Sequence, residues 1–170
     1  MEEVILVNTN NEIQGYMEKM EAHEKGLLHR AFSVFIFNSY GELLLQKRDI
    51  NKYHSGGLWT NTCCSHPRKN ETFIEAAKRR LFEEMGLRCE LKETFSFIYK
   101  ANLDNDLIEH EFDQVFFGNT DQKPSLNNEE VMDYKYIKPN QLLIDINNDP
   151  DAYTEWLKIS FKQVYKLINQ

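Results

Sequence analysis

Reactive side chains of three kinds lie close together in the middle of the chain. Residues 60–67 have the sequence Thr-Asn-Thr-Cys-Cys-Ser-His-Pro, and residues 79–87, Arg-Arg-Leu-Phe-Glu-Glu-Met-Gly-Leu, follow after Glu71. A thiol can exchange protons, an imidazole can hold a metal ion, and neighbouring carboxylates can bind a divalent cation that grips phosphate. Residues 60–87 therefore indicate a reaction centre.

Two carboxylates further along the chain are spaced to share one side of a strand. In the sequence Glu109-His110-Glu111, the alternation of strand side chains puts both glutamates on one face and the histidine on the other. At an exposed sheet edge these acids would simply be solvated. If the strand is buried, the pair needs a cation or a proton, so the pattern then predicts a metal site or a shifted carboxyl pKa.

Histidines supply candidate partners for these carboxylates. His23, His29 and His66 precede or flank predicted strands, whereas His54 lies in a predicted loop. Three imidazoles and two carboxylates would complete a site for a transition metal. The spacing of His23 and His29 matches no short zinc motif, however, and each histidine taken alone fits a structural role better than a ligand role.

The elements that must position these residues are also visible in the sequence. A capping-box pattern at residues 72–75 and apolar residues at helical spacing up to Met85 predict a helix that stops at Gly86. A second helix is predicted at residues 152–168, which carry one apolar stripe. Strands are predicted at residues 4–8, 31–37, 43–45, 94–100, 109–118 and 133–137, with a hairpin turn at 38–41. The pattern predicts helices packed on a mixed or partly antiparallel sheet.

Length and composition exclude several classes of protein. The 170 residues, 41% of them hydrophobic, suit one domain over residues 1–170. The 27 acidic and 20 basic residues give a net charge of −7, which disfavours nucleic acid and anionic membranes as partners. No basic N-terminal region precedes an apolar run, and the three cysteines include an adjacent pair, as suits a reducing compartment. We expect a cytoplasmic protein that binds neither nucleic acid nor membrane, either a monomer or a homodimer.

The charged helix and its surroundings follow a known motif. Residues Glu71, Arg79, Leu81, Glu83, Glu84, Gly86 and Leu87 occupy defining positions of the Nudix box, G-x5-E-x7-R-E-U-x-E-E-x-G-U. The chain thus resembles the Nudix superfamily, which implies an α/β (α+β) fold with a mixed β-sheet sandwiched between helices. Two positions depart from the box: Ser65 replaces its first glycine, and Arg80 replaces a glutamate that hydrolases use to hold metal. A cation at position 80 argues against a hydrolytic metal cluster.

A narrower resemblance accounts for these departures. Segments spread through most of the chain are similar to the type I isopentenyl-diphosphate isomerase family: 22–23, 28–33, 59–67, 79–80, 109–111 and 129–134. The resemblance implies interconversion of isopentenyl and dimethylallyl diphosphate by protonation and deprotonation, through a carbocation-like intermediate. Two alternatives are a Nudix diphosphate hydrolase, against which Arg80 argues, and a non-enzymatic sensor of metal or diphosphate.

The resemblance also implies which residues bind ligands. One metal ion, for which Mn²⁺, Zn²⁺ and Fe²⁺ are equally suitable, would be held by His23, His29, His66, Glu109 and Glu111. A Mg²⁺ would be shared by the diphosphate, Glu84 and the backbone carbonyl of Cys64. The small-molecule substrate would be held through its diphosphate by Lys19, Arg48, Lys52, Ser65 and Arg80.

Four residues would act on the alkene, according to the same resemblance. Cys64 would lie at one face of the alkene, and Glu111, with Tyr99 nearby, would lie at the other face. The ring of Trp156 would stabilise the developing cation. Other roles fit the same residue types. A free cysteine is commonly a small buried apolar residue, Tyr99 could pack within a strand, and Trp156 lies one position off an apolar stripe, as expected at the edge of a core. In an extended segment, only one of Cys63 and Cys64 can face a pocket.

Overall fold

The computed structural model describes residues 1–170, which form nine strands and four α-helices. The strands are β1 Glu3–Val7, β2 Ile13–Glu18, β3 His29–Phe37, β4 Leu43–Arg48, β5 Trp59–Thr60, β6 Cys63–Ser65, β7 Leu91–Asn102, β8 Ile108–Asn119 and β9 Val131–Ile137. The α-helices are α1 Lys19–Lys25, α2 Phe73–Met85, α3 Pro139–Asn148 and α4 Glu155–Ile168.

Strand β3 is the centre of one mixed sheet. Along one side it pairs in parallel with β8 over its whole length. Along the other side it pairs antiparallel with β1, β6 and β4 in turn. Strands β7 and β9 lie further out, paired with β8 and β4. The predicted mixed sheet and the hairpin of β3 and β4 are therefore confirmed.

The two faces of the sheet bury separate apolar cores because neighbouring side chains of β3 point in opposite directions. Phe32, Val34 and Ile36 pack in the cluster that contains Leu81 and Met85 of α2. Phe35 and Phe37 pack in the cluster that contains helix α4 residues such as Leu157. Each such buried side chain contributes about 1.5–3 kcal/mol. Helices thus cover both faces of a mixed sheet, which confirms the α+β fold class.

Helix α2 begins and ends as the sequence predicts. The Thr72 side chain accepts a hydrogen bond from the Glu75 backbone, and the Glu75 side chain accepts one from the Thr72 backbone. Gly86 ends the helix in the left-handed region, with φ of 65°. A Cβ at this position would lie 2.8 Å from Ser125, so a larger residue would be both strained and crowded. The local signals therefore determine the limits of this helix.

Helix α4 confirms the predicted helix near the end of the chain, although it begins at Glu155 rather than at residue 152. Five elements are absent from the sequence-based prediction: β2, β5, β6, α1 and α3. None of the four helices combines the length and the apolar character needed to cross a bilayer.

Candidate active site

A polar cavity of about 110 Å³ opens between the sheet and helix α4. Residues from strands, helices and loops line it: Glu2, Lys19, Phe32, Arg48, Tyr53, His54, Cys64, Ser65, His66, Arg68, Arg80, Glu109, Glu111 and Trp156. The predicted reaction centre at residues 60–67 and the predicted carboxylates of β8 therefore meet in one place.

The five predicted metal ligands form a compact buried cluster. One ligand atom from each of His23, His29, His66, Glu109 and Glu111 lies within 4.8 Å of all the others. The parallel pairing of β3 with β8 places His29 directly beside Glu111. Helix α1 contributes His23, and His66 follows β6. Residues from four separate parts of the chain thus converge on one point.

Hydrogen bonds at the outer ring nitrogens of two histidines direct their inner nitrogens at this point. Nδ1 of His23 lies 2.7 Å from the carbonyl oxygen of Lys19, and Nδ1 of His29 lies 2.8 Å from that of Leu27. A carbonyl can only accept, so in a neutral ring Nδ1 carries the proton and Nε2 presents a lone pair.

These lone pairs face carboxylate oxygens. Nε2 of His23 lies 3.3 Å from Glu109, and Nε2 of His29 lies 3.3 Å from Glu111. Nε2 of His29 and Oε2 of Glu109 have no hydrogen-bond partner. A lone pair that faces a carboxylate requires a cation or a proton between them, so the donor set fits a divalent metal.

The two carboxylates are electrostatically unequal. Burial and the neighbouring Glu109 raise the pKa of Glu111 to about 8. Although burial opposes the effect, contacts with His23 and His54 hold the pKa of Glu109 well below its usual range. Burial lowers the pKa of His66 to about 3, and its Nε2 lies 2.7 Å from Glu111. An ionised Glu109 therefore lies beside a Glu111 that holds its proton near neutral pH, and a bound cation would favour the ionised form of both carboxylates.

Cys64 and Cys63 point to opposite sides of β6, as an extended segment requires. Cys63 is fully buried in the core beneath α2, whereas Cys64 lines the cavity. Burial raises the pKa of Cys64 to about 12, so its thiol keeps its proton near neutral pH. Strands β6 and β8 flank β3, so Cys64 and Glu111 reach the cavity from either side of that central strand.

Tyr99 and Trp156 occupy different positions around these groups. The Tyr99 hydroxyl donates a hydrogen bond to Oε1 of Glu111 but does not line the cavity. Trp156, only 3% exposed, lines the cavity, and the guanidinium of Arg48 lies 5.1 Å from its ring centroid. The ring therefore already contacts one cation through its face, the contact expected of a cation-stabilising aromatic residue.

The predicted diphosphate contacts are only partly brought together. Lys19, Arg48, Ser65 and Arg80 line the cavity, whereas Lys52 does not and pairs with Glu130. The guanidinium of Arg80 also contacts Glu130, at 3.2 Å. Lys52 is therefore linked to the cavity wall through a shared carboxylate.

Glu84, the predicted Mg²⁺ ligand, is buried and lies outside the cavity lining. Its two oxygens accept hydrogen bonds from Gln46 at 2.8 Å and from Arg80 at 2.6 Å. Each oxygen keeps a second lone pair, so an ion could bind Glu84 beside these donors.

The sequence analysis missed several polar residues of the site region, among them His54 and Asp113. His54 is buried, and its Nε2 lies 3.0 Å from Oε2 of Glu109. The sequence of its loop does not predict which way the His54 ring points. Asp113 continues the carboxylate face of β8 and accepts a hydrogen bond from Ser33 at 2.8 Å. The two-residue period of β8 could have identified Asp113.

Comparisons with known proteins show the family of this chain. The NUDIX domain family matches residues 27–157. Isopentenyl-diphosphate Delta-isomerase 2 of Aromatoleum aromaticum is 51% identical over 163 residues, which cover 96% of this chain and 86% of the relative. The protein of the same name from Photorhabdus laumondii is 53% identical over 159 residues, covering 93% and 90%.

Solved structures share the fold at much lower sequence identity. DR0079 from Deinococcus radiodurans has a TM-score of 0.81 at 21% identity, covering 96% of this chain and 99% of that chain. A MutT protein from Methanosarcina mazei has a TM-score of 0.70 at 16% identity, covering 84% and 96%. These structures establish the fold alone, whereas the sequence relatives are similar over nearly their whole length. The chain belongs to the isopentenyl-diphosphate Delta-isomerase family of NUDIX-domain proteins.

Proposed function

We propose that this isomerase moves the double bond of a five-carbon diphosphate between its isopentenyl and dimethylallyl forms, with Cys64 and Glu111 exchanging protons at opposite faces of the alkene. A proton added to the terminal carbon leaves positive charge on the tertiary carbon, and loss of a proton from the adjacent methylene forms the new double bond. Atoms and charge balance without any oxidant or reductant. The observation that carries this proposal is the convergence of Cys64 and Glu111 on one buried cavity.

The acid and the base would be oriented by their surroundings. The thiol of Cys64 keeps its proton because burial raises its pKa to about 12, so it is available as a donor. Tyr99 donates a hydrogen bond to Glu111 and restrains that carboxylate. The buried ring of Trp156 would stabilise the cation by about 1–2 kcal/mol.

The metal assignment is part of the proposal. His23, His29, His66, Glu109 and Glu111 would hold one divalent ion, Mn²⁺, Zn²⁺ or Fe²⁺. When bound, this ion supplies the positive charge that keeps two buried carboxylates and three imidazoles together. A Mg²⁺ carried with the diphosphate would neutralise phosphate oxygens, with Glu84 as its protein ligand through the lone pairs that Gln46 and Arg80 leave free.

The substrate's diphosphate would bind at the basic side of the cavity. Lys19, Arg48 and Arg80 line it, and a guanidinium can hold two phosphate oxygens at once. Ser65 and Lys52 would add further contacts, the latter after leaving Glu130. We also propose that residues 1–170 act as one Nudix-type domain in the cytoplasm, where three free cysteines would remain reduced.

Product analysis tests this function directly. Purified protein supplied with Mg²⁺ and Mn²⁺ is expected to convert isopentenyl diphosphate into dimethylallyl diphosphate without releasing phosphate. Phosphate release with no double-bond movement would instead indicate the Nudix hydrolase. Tight binding of the diphosphate with neither reaction would indicate a sensor.

The two adjacent cysteines offer a matched pair of variants. Cys64→Ser should reduce kcat by about 10²–10⁴-fold, because a hydroxyl is a much weaker acid than a thiol. Cys63→Ala should lower stability through lost core packing but leave kcat of the folded protein nearly unchanged, because Cys63 faces the α2 core. Comparable turnover in Cys64→Ser and wild type would disprove the role of Cys64.

A further inference from the structure

His54 contacts the proposed metal cluster from a loop between β4 and β5. Its ring nitrogen Nε2 lies 3.0 Å from Oε2 of Glu109. Neither atom has a hydrogen-bond partner, so the contact is close but not aligned as a hydrogen bond. His54 is only 2% exposed, and both residues line the polar cavity. A turn of the His54 ring that brought an imidazole proton between the two atoms would give both of them a partner.

The partner of the other ring nitrogen distinguishes His54 from the proposed ligands His23 and His29. Those two rings have Nδ1 against a backbone carbonyl, which fixes a lone pair on Nε2. Nδ1 of His54 instead lies 3.0 Å from the hydroxyl of Ser55, which can donate. Nδ1 can therefore be the acceptor, and Nε2 then carries its proton toward Glu109.

The loop holds Ser55 in an unusual conformation that fixes this arrangement. Ser55 has a φ of 54°, in the left-handed region that a non-glycine residue seldom adopts. Its backbone N–H donates to the carboxylate of Asp104 at 3.0 Å. A Cβ on the next residue, Gly56, would lie 2.4 Å from the carbonyl oxygen of Ile50, so only glycine fits there.

His54 also contacts the aromatic residue of the site. The rings of His54 and Trp156 have centroids 5.7 Å apart and lie edge to face at 84°. Arg48, whose guanidinium lies over Trp156, also donates to the carbonyl oxygen of His54 at 3.1 Å. His54 thus touches both a carboxylate of the metal cluster and the ring that would stabilise the cation.

We propose that His54 is a positioning residue: when the metal ion is bound, its Nε2–H turns to donate to Oε2 of Glu109 and leaves the other carboxylate oxygen, Oε1, for that ion. This inference rests on the proposed metal site. In this role His54 orients the metal ligand Glu109 and does not bind the metal itself, because a nitrogen that carries a proton cannot coordinate a metal.

Metal affinity tests the proposal independently of turnover. Metal-free protein would be titrated with Mn²⁺ and the free ion followed by electron paramagnetic resonance. His54→Leu, which keeps bulk but has no donor, is expected to weaken Mn²⁺ binding by about 10- to 100-fold. His54→Gln, whose amide can donate from nearly the same place, is expected to retain affinity within about threefold of wild type.

Controls separate this role from folding and from the metal site itself. Glu109→Gln should weaken Mn²⁺ binding at least as strongly as His54→Leu, and circular dichroism checks that each variant folds. If His54→Leu does not fold, Ser55→Ala carries the test, because losing the hydroxyl should weaken binding by about 3- to 10-fold. Wild-type affinity in His54→Leu, or equal weakening in His54→Gln, would overturn the proposal. Failure of wild type to bind Mn²⁺ would overturn the metal site and the role of His54 with it.

Discussion

Glu111 receives three polar side chains at once. The Tyr99 hydroxyl binds Oε1, and the imidazoles of His29 and His66 approach Oε2 at 3.3 and 2.7 Å. A carboxylate restrained in this way can accept a proton only along a limited set of directions, which favours removal of one particular hydrogen. Substitution of a residue that restrains Glu111, such as Tyr99, should therefore lower kcat.

We expect Glu111→Gln to abolish nearly all turnover and Tyr99→Phe to cause a smaller loss. The amide cannot act as the base, whereas Tyr99→Phe removes one hydrogen bond to a charged group, which is worth about 1.5–3 kcal/mol or roughly 10- to 100-fold in kcat. Steady-state kinetics with thermal melts as a folding control measure both effects. A Tyr99→Phe loss as large as that of Glu111→Gln would mean that Tyr99 transfers a proton itself.

Trp156 provides a graded test of cation stabilisation. Trp156→Phe keeps an aromatic face with a weaker cation–π interaction, whereas Trp156→Leu removes it, so kcat should fall modestly in the first and by about 5- to 30-fold in the second. The measurement is kcat at saturating substrate, with KM followed in parallel. Equal kcat values in the two variants would show that the ring acts only by packing.

The sequence could predict which residues belong to the site better than how those residues come together in space. The carboxylate pair of β8 followed from strand alternation, but bringing His23 and His66 to it depended on resemblance, because the spacing of these histidines is not diagnostic. His54 was missed because a loop residue has no periodicity that fixes its direction. Contacts between residues far apart in sequence are set by tertiary structure.

Helix α2 shows which elements could be predicted from local signals. Its capping box and its glycine stop are encoded within the helix and its flanks, so its limits were predictable. Strand β6 could not be predicted, since three residues become a strand only through pairing with β3. Helix α1, seven residues long, and strand β2, largely exposed, lack the long apolar pattern on which prediction depends.

A pair of glycine variants tests the end of α2. Gly86→Ala and Gly41→Ala both place a Cβ at positive φ, at 65° and 73°. A Cβ at Gly86 would also lie 2.8 Å from Ser125, whereas one at Gly41 meets nothing within 4 Å. We expect Gly41→Ala to cost about 1 kcal/mol and Gly86→Ala about 1–3 kcal/mol more, measured by denaturant unfolding. Equal losses would mean that Ser125 moves away freely.

The whole molecule should depend on metal for part of its stability. Two buried carboxylates share the cluster, and an ion that binds only the folded chain adds about 2.7 kcal/mol when present at 100 times its Kd. For a chain of 170 residues this predicts a fall in Tm of roughly 5–10 °C when Mn²⁺ is removed with a chelator. Calorimetry with and without the chelator measures the change.

Glu109→Gln is the control for this effect. The substitution removes a ligand and one of two like charges, so the variant should lose most of its Mn²⁺ dependence. A wild-type Tm that does not change when the chelator is added would contradict the proposed metal cluster.

The parallel pairing of β3 with β8 has a consequence for how this site could change over evolutionary time. Glu109 and Glu111 face the cavity, while Phe112 and Phe116 lie on the other face of β8. Because side chains alternate, deleting one residue within β8 would exchange these two sets, turning acids toward the α2 core and phenylalanines toward the cavity. Variation in this strand can therefore proceed by substitution but hardly by insertion or deletion, so loops rather than strands must absorb changes in chain length.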